Sequence, residues 1–285
     1  MEEKTVKAKV HGVGIPPQKS ADEDSVTRYG PEYVYFCRKI RELTGINLEN
    51  YKGQQMHRRL EGYRVRHGFP DFVTFAKVVQ KDPAKLSALV DFLTINVSEF
   101  FRNPEQWKIL REKVIPGLLQ ESGKRWLRAW SAGSSGGQEA YSLAITLREL
   151  SVQGSILATD IDEPSLAKGA RGKYSRDELR NVPASLVGKY FHPEGDLLAV
   201  NDDVKDMVTF RTHNLLSEDY PQGMDLVLCR NVLIYFTEEG KRHVIGKLAR
   251  SLRPGGVLFV GATEAIFAPK NYGLSQMLPF FYSRG

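Results

Sequence analysis

The sequence predicts an α/β chain: a doubly wound, mostly parallel sheet with a closing antiparallel strand and a small β insert, preceded by an all-α domain. Three observations predict it. From Trp126 onward, short apolar runs alternate with helical periodicities, the pattern of parallel strands joined by crossover helices. Trp130 to Ser142, WSAGSSGGQEAYS, puts a glycine-rich turn between a strand and a helix, where a ligand can approach the backbone closely. Residues 31 to 119 show helical spacing alone, interrupted at Gly68-Phe-Pro70 and Asp82-Pro83.

In order along the chain, residues 1–29 are polar, with Pro16-Pro17 and an Ala-Asp-Glu-Asp run, and predict a mobile tail. Residues 30–104 predict the helical domain, with helices from Pro31 past Leu43, then near 51–67, 70–80 and 83–96. Residues 105–125 read as a linking helix and a loop. In 126–285, strands are expected near 126–131, 155–159, 207–212, 225–229 and 256–261, with a final antiparallel pair at 274–277 and 279–283. The crossover after Asp160 is unusually long and holds an insert at about 173–206. Its Pro-Glu-Gly-Asp, between apolar runs, signals a hairpin.

Composition narrows the class. Hydrophobic residues at 41% and charged residues at 26% suit a globular protein. No apolar run reaches membrane-span length and the N-terminus lacks a signal-peptide core, so no membrane insertion is expected. Cys37 and Cys229, far apart in the chain, make no disulfide framework, and a cytoplasmic location is expected. The six histidines never cluster at ligand spacing, so no metal site is expected. A formal charge of +6 points to an acidic partner. An aromatic-interleaved RNA motif is missing, so nucleic acid is not the expected one.

Asp160 ends the second predicted strand, where a carboxylate suits ribose hydroxyls. The loop is neither G-x-G-x-x-G nor G-x-x-x-x-G-K-[ST]. Its Glu139 is a poor neighbour for phosphate and a good one for an ammonium group. S-adenosylmethionine, with a ribose, an adenine and an amino-acid end but no phosphate, answers to that set. The glycines and one aspartate alone leave an ordinary tight turn open as the alternative.

Further motifs follow in a fixed order: Asn96-Val-Ser-Glu-Phe-Phe-Arg102, the glycine-rich loop, Ala158-Thr-Asp-Ile-Asp162, Asn214-Leu-Leu216, Cys229-Arg-Asn-Val-Leu-Ile-Tyr-Phe236 and Leu252-Arg-Pro-Gly-Gly-Val-Leu-Phe259. In this order, behind a helical domain, the chain resembles the CheR-type chemotaxis receptor methyltransferases over about residues 32–284. The resemblance implies a class I S-adenosylmethionine-dependent methyltransferase fold and methyl transfer to glutamate side chains of methyl-accepting chemoreceptors, with S-adenosylhomocysteine as product. It also implies the site. Asn96, Ser98 and Arg102 match the motif over the methionine end, Glu139 the acid that meets the amine, and Asp160 the ribose ligand. Asn214 and Leu215 match adenine-side contacts, and Arg230 and Asn231 methionine-side contacts. Arg102 and Tyr235 match the residues flanking the transferable methyl, and are the catalytic candidates. The family's loop reads S-T-G-E-E-P-Y-S, whereas Gly136, Gln138 and Ala140 stand here, and Ala262 replaces a histidine in the late G-H-S-E pattern.

The residues carry the same chemistry. A glutamate acceptor, with a pKa of about 4.3, is ionised at neutral pH and needs no general base. This agrees with a chain that offers no Ser/His/Asp or Cys/His set. Cys229 reads as core, and Glu264 is left without a role. An N-methyltransferase acting on protein or RNA is the first alternative, though Arg230–Tyr235 stands where an N-P-P-Y-like tetrad is expected. A non-catalytic cofactor-sensing scaffold is the second. Residues 52–67 hold five basic residues against Glu61. Met56, Leu60 and Tyr63 fall on a buried stripe, which leaves Arg59 and Arg66 on an exposed face that by itself reads as a solvated one. The resemblance implies that this face docks the receptor. A monomer is expected. The resemblance implies that the insert is where some family members grip a receptor tail peptide, and the short stretch between Phe191 and Val200 then predicts weak or absent binding.

Overall fold

The computed structural model describes residues 28–93, 98–123 and 126–285. The tail expected over 1–29 lies outside them save for Arg28 and Tyr29, and the Tyr29 ring stacks on His57 with centroids 4.9 Å apart.

The N-terminal part is helical: α1 (Pro31–Thr44), α2 (Gly53–Arg66), α3 (Phe72–Lys81) and α4 (Pro83–Leu93). Each boundary has a local cause. Gly45 closes α1 in a left-handed conformation, and the Asp71 carboxylate caps α3 by accepting from Thr74 N–H at 2.6 Å. Phe36, Ile40, Leu60, Phe75 and Leu89 make a core of their own. The expected stripe Met56, Leu60, Tyr63 is buried in it. The expected helix end at Asn96 falls outside the described residues.

Next come α5 (Pro104–Ile109) and α6 (Ile115–Ser122), joined by a π-helical turn over Leu110–Val114. Pro116 cannot donate to the carbonyl four residues back, and the turn before it widens. Trp107, Leu110, Val114 and Leu118 pack into the sheet's own core, so this segment is a layer of the α/β unit as well as a connection.

The large sheet is built from β1 (Trp126–Ala132), β2 (Gln153–Asp160), β6 (Val208–Thr212), β7 (Met224–Cys229), β8 (Leu252–Val260), β9 (Leu274–Leu278) and β10 (Phe281–Arg284), in the order β6-β2-β1-β7-β8-β10-β9. Five strands are parallel and β10 runs antiparallel between β8 and β9, which is the expected closing pair. Side chains alternate between two cores: Leu127, Ala129, Leu226 and Leu228 face one, Trp130, Ala132, Val227 and Cys229 the other. Helices α7 (Gln138–Glu149) and α8 (Glu163–Arg171) follow β1 and β2. The insert holds β3 (Lys173–Tyr174), helix α9 (Ala184–Tyr190), the hairpin β4 (Phe191–Glu194) and β5 (Leu197–Val200), and α10 (Asp202–Lys205). Its strands form a small antiparallel sheet in the order β3-β5-β4. Helix α11 (Glu238–Ser251) covers the second core.

Candidate active site

The strand order reverses at β1, between β2 and β7, and crevices at such a switch point open at the carboxyl ends of the strands. Here that edge forms a cleft lined by Gly133, Asp160, Asn214 and Arg230, at or just beyond the ends of four strands, and by Tyr51 and Leu93 of the helical part.

The loop after β1 supplies its floor. Gly133 and Ser134 both donate their N–H to Thr159 carbonyl at 2.8 Å. Gly133 sits at φ 79°, and a Cβ there would come within 2.4 Å of Val232 Cγ2. Only glycine lets this loop close against the one after β7. Glu139, in the first turn of α7, is buried; its Oε1 accepts from Ser131 Oγ at 2.8 Å, and Arg230 Nη1 lies 3.4 Å from Oε2. Burial pushes the Glu139 carboxyl up, against the pull of Arg230 and the Ser131 hydroxyl.

Asp160 ends β2. Its Oδ2 accepts from Ser135 N–H at 2.8 Å and its Oδ1 from Asp162 N–H at 3.1 Å. Burial raises this carboxyl, and the two backbone donors oppose it. Asn214 and Leu215 line the cleft after β6. The Asn214 amide also donates to Gly45 carbonyl at 3.3 Å, a bond to the helical domain.

Arg230, after β7, has its guanidinium carbon 4.5 Å from the Phe259 ring centre, and Nη2 donates to Arg102 carbonyl at 2.8 Å, Asn103 Oδ1 at 3.1 Å and Gln106 Oε1 at 3.0 Å. Its Nε is a buried donor with no protein partner. Burial lowers its pKa, and Glu139 opposes that. The Arg102 carbonyl is gripped a second time, by Trp107 Nε1 at 3.1 Å. Phe101, Asn103, Ser135 and Asn231 all have positive φ, of 48°, 62°, 47° and 61°. Ser135 and Asn231 line the cleft, and Phe101 and Asn103 flank Arg102, which also lines it.

The cleft therefore brings together Ser98, Arg102, Glu139, Asp160, Asn214, Leu215, Arg230, Asn231 and Tyr235, nine of the ten residues that the sequence singles out for cofactor binding and catalysis. The tenth, Asn96, lies outside the described residues. Burial raises the Tyr235 phenol, and the charges of Arg102 and Arg59 pull it down. No cluster able to hold a metal ion occurs among the described residues.

The docking pair separates. Arg66 is exposed, whereas Arg59 is half-buried: its Nη2 donates to Phe92 carbonyl and its guanidinium carbon lies 4.9 Å from the Phe92 ring centre. The expectation of an exposed Arg59 is corrected. The C-terminal turn of α4 packs over that face of α2 and faces Arg59 toward Tyr235, and helical periodicity cannot register a cover supplied by another helix.

Sequence reasoning missed two contributors. Tyr51, from the helical part, lines the cleft and feels the Asp160 charge; burial, then that charge, push its phenol up to about 12. Glu264 is buried and bonded to the loop after β7. In the sequence it stands as the last residue of the late G-H-S-E pattern, which names the position and gives it no role.

Residues 96–279 match the family model described as CheR methyltransferase, SAM binding domain, and residues 31–94 that of its all-alpha domain. A chemotaxis protein methyltransferase of Listeria innocua is 41% identical over 254 residues, covering 88% of this chain and 96% of that protein. One of Listeria monocytogenes is 40% identical over 88% of this chain and 96% of its own length. One of Borreliella burgdorferi is 32% identical over 84% of this chain and 89% of its own length. Glu139 and the spare buried donor on Arg230 fit a zwitterionic amino-acid end, and Asp160 fits a ribose. With both domains matched in order over most of its length, the chain belongs to the CheR methyltransferase family, and its function is S-adenosylmethionine-dependent methylation in chemotaxis.

Proposed function

We propose that the acceptor is a glutamate side chain on the cytoplasmic helices of a chemoreceptor, and that the product is a glutamyl methyl ester. One observation supports this above all: Arg102 and Tyr235 line the same cleft as Glu139 and Asp160, so a carboxylate-binding pair adjoins the cofactor-binding pair. When bound, S-adenosylmethionine supplies a methyl group carried on a cationic sulfur. Asp160 accepts from the ribose hydroxyls, and Asn214 and Leu215 flank the adenine. Glu139 meets the ammonium group. Arg230 and Asn231, with Ser98 and Asn96, hold the rest of the methionine end.

Arg102 attracts and orients the incoming carboxylate, and the Tyr235 phenol steers one of its oxygens. The acceptor is already ionised, so no residue of the cleft has to take a proton. Opposite charges disappear in the transfer, and a cleft that excludes water favours it over the solvated reactants. Tyr51, Val232 and Phe236 supply the apolar walls. The helical domain, 30–104 in this reading, docks the receptor through Arg66 and its basic neighbours, in the cytoplasm. Mass spectrometry of receptor peptides after incubation with cofactor tests the reading. One added methyl on glutamate-containing peptides is the expected result, and methyl groups on lysine, arginine or RNA instead would exclude it.

A further inference from the structure

Glu264 lies just beyond β8, with only 6% of its surface exposed. Its Oε2 accepts from Asn231 N–H at 2.5 Å and from Gly261 N–H at 2.9 Å, and its Oε1 accepts from Ile234 N–H at 3.2 Å. A Cβ on Gly261 would fall 2.4 Å from Oε2, so the carboxylate is seated directly on the backbone. Two of the three donors belong to the loop after β7, which carries Asn231 and Tyr235 into the cleft. Asn231 is held at φ 61°, in the left-handed region that asparagine tolerates better than most non-glycine residues, and its N–H is the donor closest to the carboxylate. Ile234 sits in the single 3₁₀ turn Leu233–Tyr235. Burial pushes the Glu264 carboxyl up while the backbone donors hold it down.

We propose that Glu264 is a positioning residue for methyl transfer: its carboxylate fastens the loop 231–235 to the end of β8, and thereby fixes where Asn231 and Tyr235 face the cleft. The inference rests on the reading of this cleft as the methyl-transfer site. The far end of the loop has other anchors. Lys52 N–H donates to Tyr235 carbonyl at 3.1 Å, and Thr237 N–H to Asn50 carbonyl at 2.7 Å. Without Glu264 the loop stays attached at that end and loses its geometry at the other. The effect therefore falls on turnover more than on folding.

The test is Glu264→Gln, which keeps the shape and replaces one accepting oxygen by a donor that faces backbone N–H groups. Wild-type methylation of receptor-bearing membranes is measured beside it. The expected result is a kcat lower by about 10- to 100-fold, as for a small misplacement of reacting groups, with receptor KM within about threefold. Equal kcat in the two proteins overturns the positioning role while leaving the cleft's assignment intact. A wild-type protein that transfers no methyl removes that assignment, and the positioning role with it. If the variant does not fold, amide hydrogen exchange in the wild type decides. Asn231 and Ile234 should exchange far more slowly than exposed loop amides, and exchange at the rate of an open loop overturns the proposal.

Discussion

Lys52 donates its backbone N–H to the carbonyl of Tyr235 at 3.1 Å. The segment that opens α2 thus holds the loop bearing a catalytic candidate. A ladder surrounds this bond: Thr237 N–H reaches Asn50 carbonyl at 2.7 Å, and the Tyr51 and Phe236 rings meet edge-on with centroids 5.5 Å apart. A receptor that engages the helical part is therefore connected mechanically to the place where methyl transfer is proposed.

The ribose assignment is tested at Asp160. Asp160→Ala removes its bonds to the ligand, and should weaken S-adenosylhomocysteine binding by about 1–3 kcal/mol. It also strips the acceptor from Ser135 and Asp162 N–H, so the melting temperature should fall as well. Asp160→Asn, which keeps one acceptor, should lose affinity with a smaller change in melting. Unchanged affinity in both variants by calorimetry would contradict the assignment.

Tyr235→Phe removes the hydroxyl without emptying the space. A kcat lower by roughly tenfold, worth about 1.4 kcal/mol of barrier, is expected at unchanged cofactor affinity. A full wild-type kcat would leave Tyr235 as a wall of the cleft and nothing more.

Arg59 and Arg66 should now behave differently. Arg66→Glu reverses an exposed charge, and should raise the receptor KM by a few-fold at constant melting temperature. Added salt should mimic it, since such attraction is screened over about 8–10 Å. Arg59→Glu breaks the bond to Phe92 carbonyl and puts a carboxylate near Tyr235, so it should lower melting temperature and kcat together. Steady-state kinetics and thermal melts of both variants check the split, and identical behaviour would refute it.

Asp91, on α4, is hydrogen-bonded to Asp162, at the start of α8. Burial first, then that bond and the Asp162 charge, push the Asp91 carboxyl from 3.8 to about 6. Between those values the folded chain keeps a proton that the unfolded chain releases. This group's contribution is complete below the lower value, and is lost as pH rises through the higher one. Asp91→Asn should therefore gain melting temperature over the wild type as pH climbs from about 4 to about 7. A difference between the two proteins that stays constant over that window would sink the pairing.

The parts legible in the sequence were those written in periodicity and in backbone need. β7 is buried on both faces and β1 along most of its length, so the strands read as short apolar runs. The loop at Gly133 was visible because the close approach of Val232 leaves only glycine there. Residues whose role depends on a partner from another element were not legible. Arg59 owes its half-burial to the end of α4, and Tyr51 its place to the packing of two domains. Glu264 binds backbone N–H groups, and these leave no trace in residue identity.

The ester itself offers the most direct measurement. Receptor-bearing membranes are incubated with the protein and S-adenosylmethionine labelled in the methyl group, then washed and brought to mild alkali. A methyl placed on a glutamate carboxylate leaves as volatile labelled methanol, and that release is the expected result. A mark that stays on the receptor through alkali would mean methylation at nitrogen, and would contradict carboxylate methylation at the cleft formed by Arg102, Tyr235, Glu139 and Asp160.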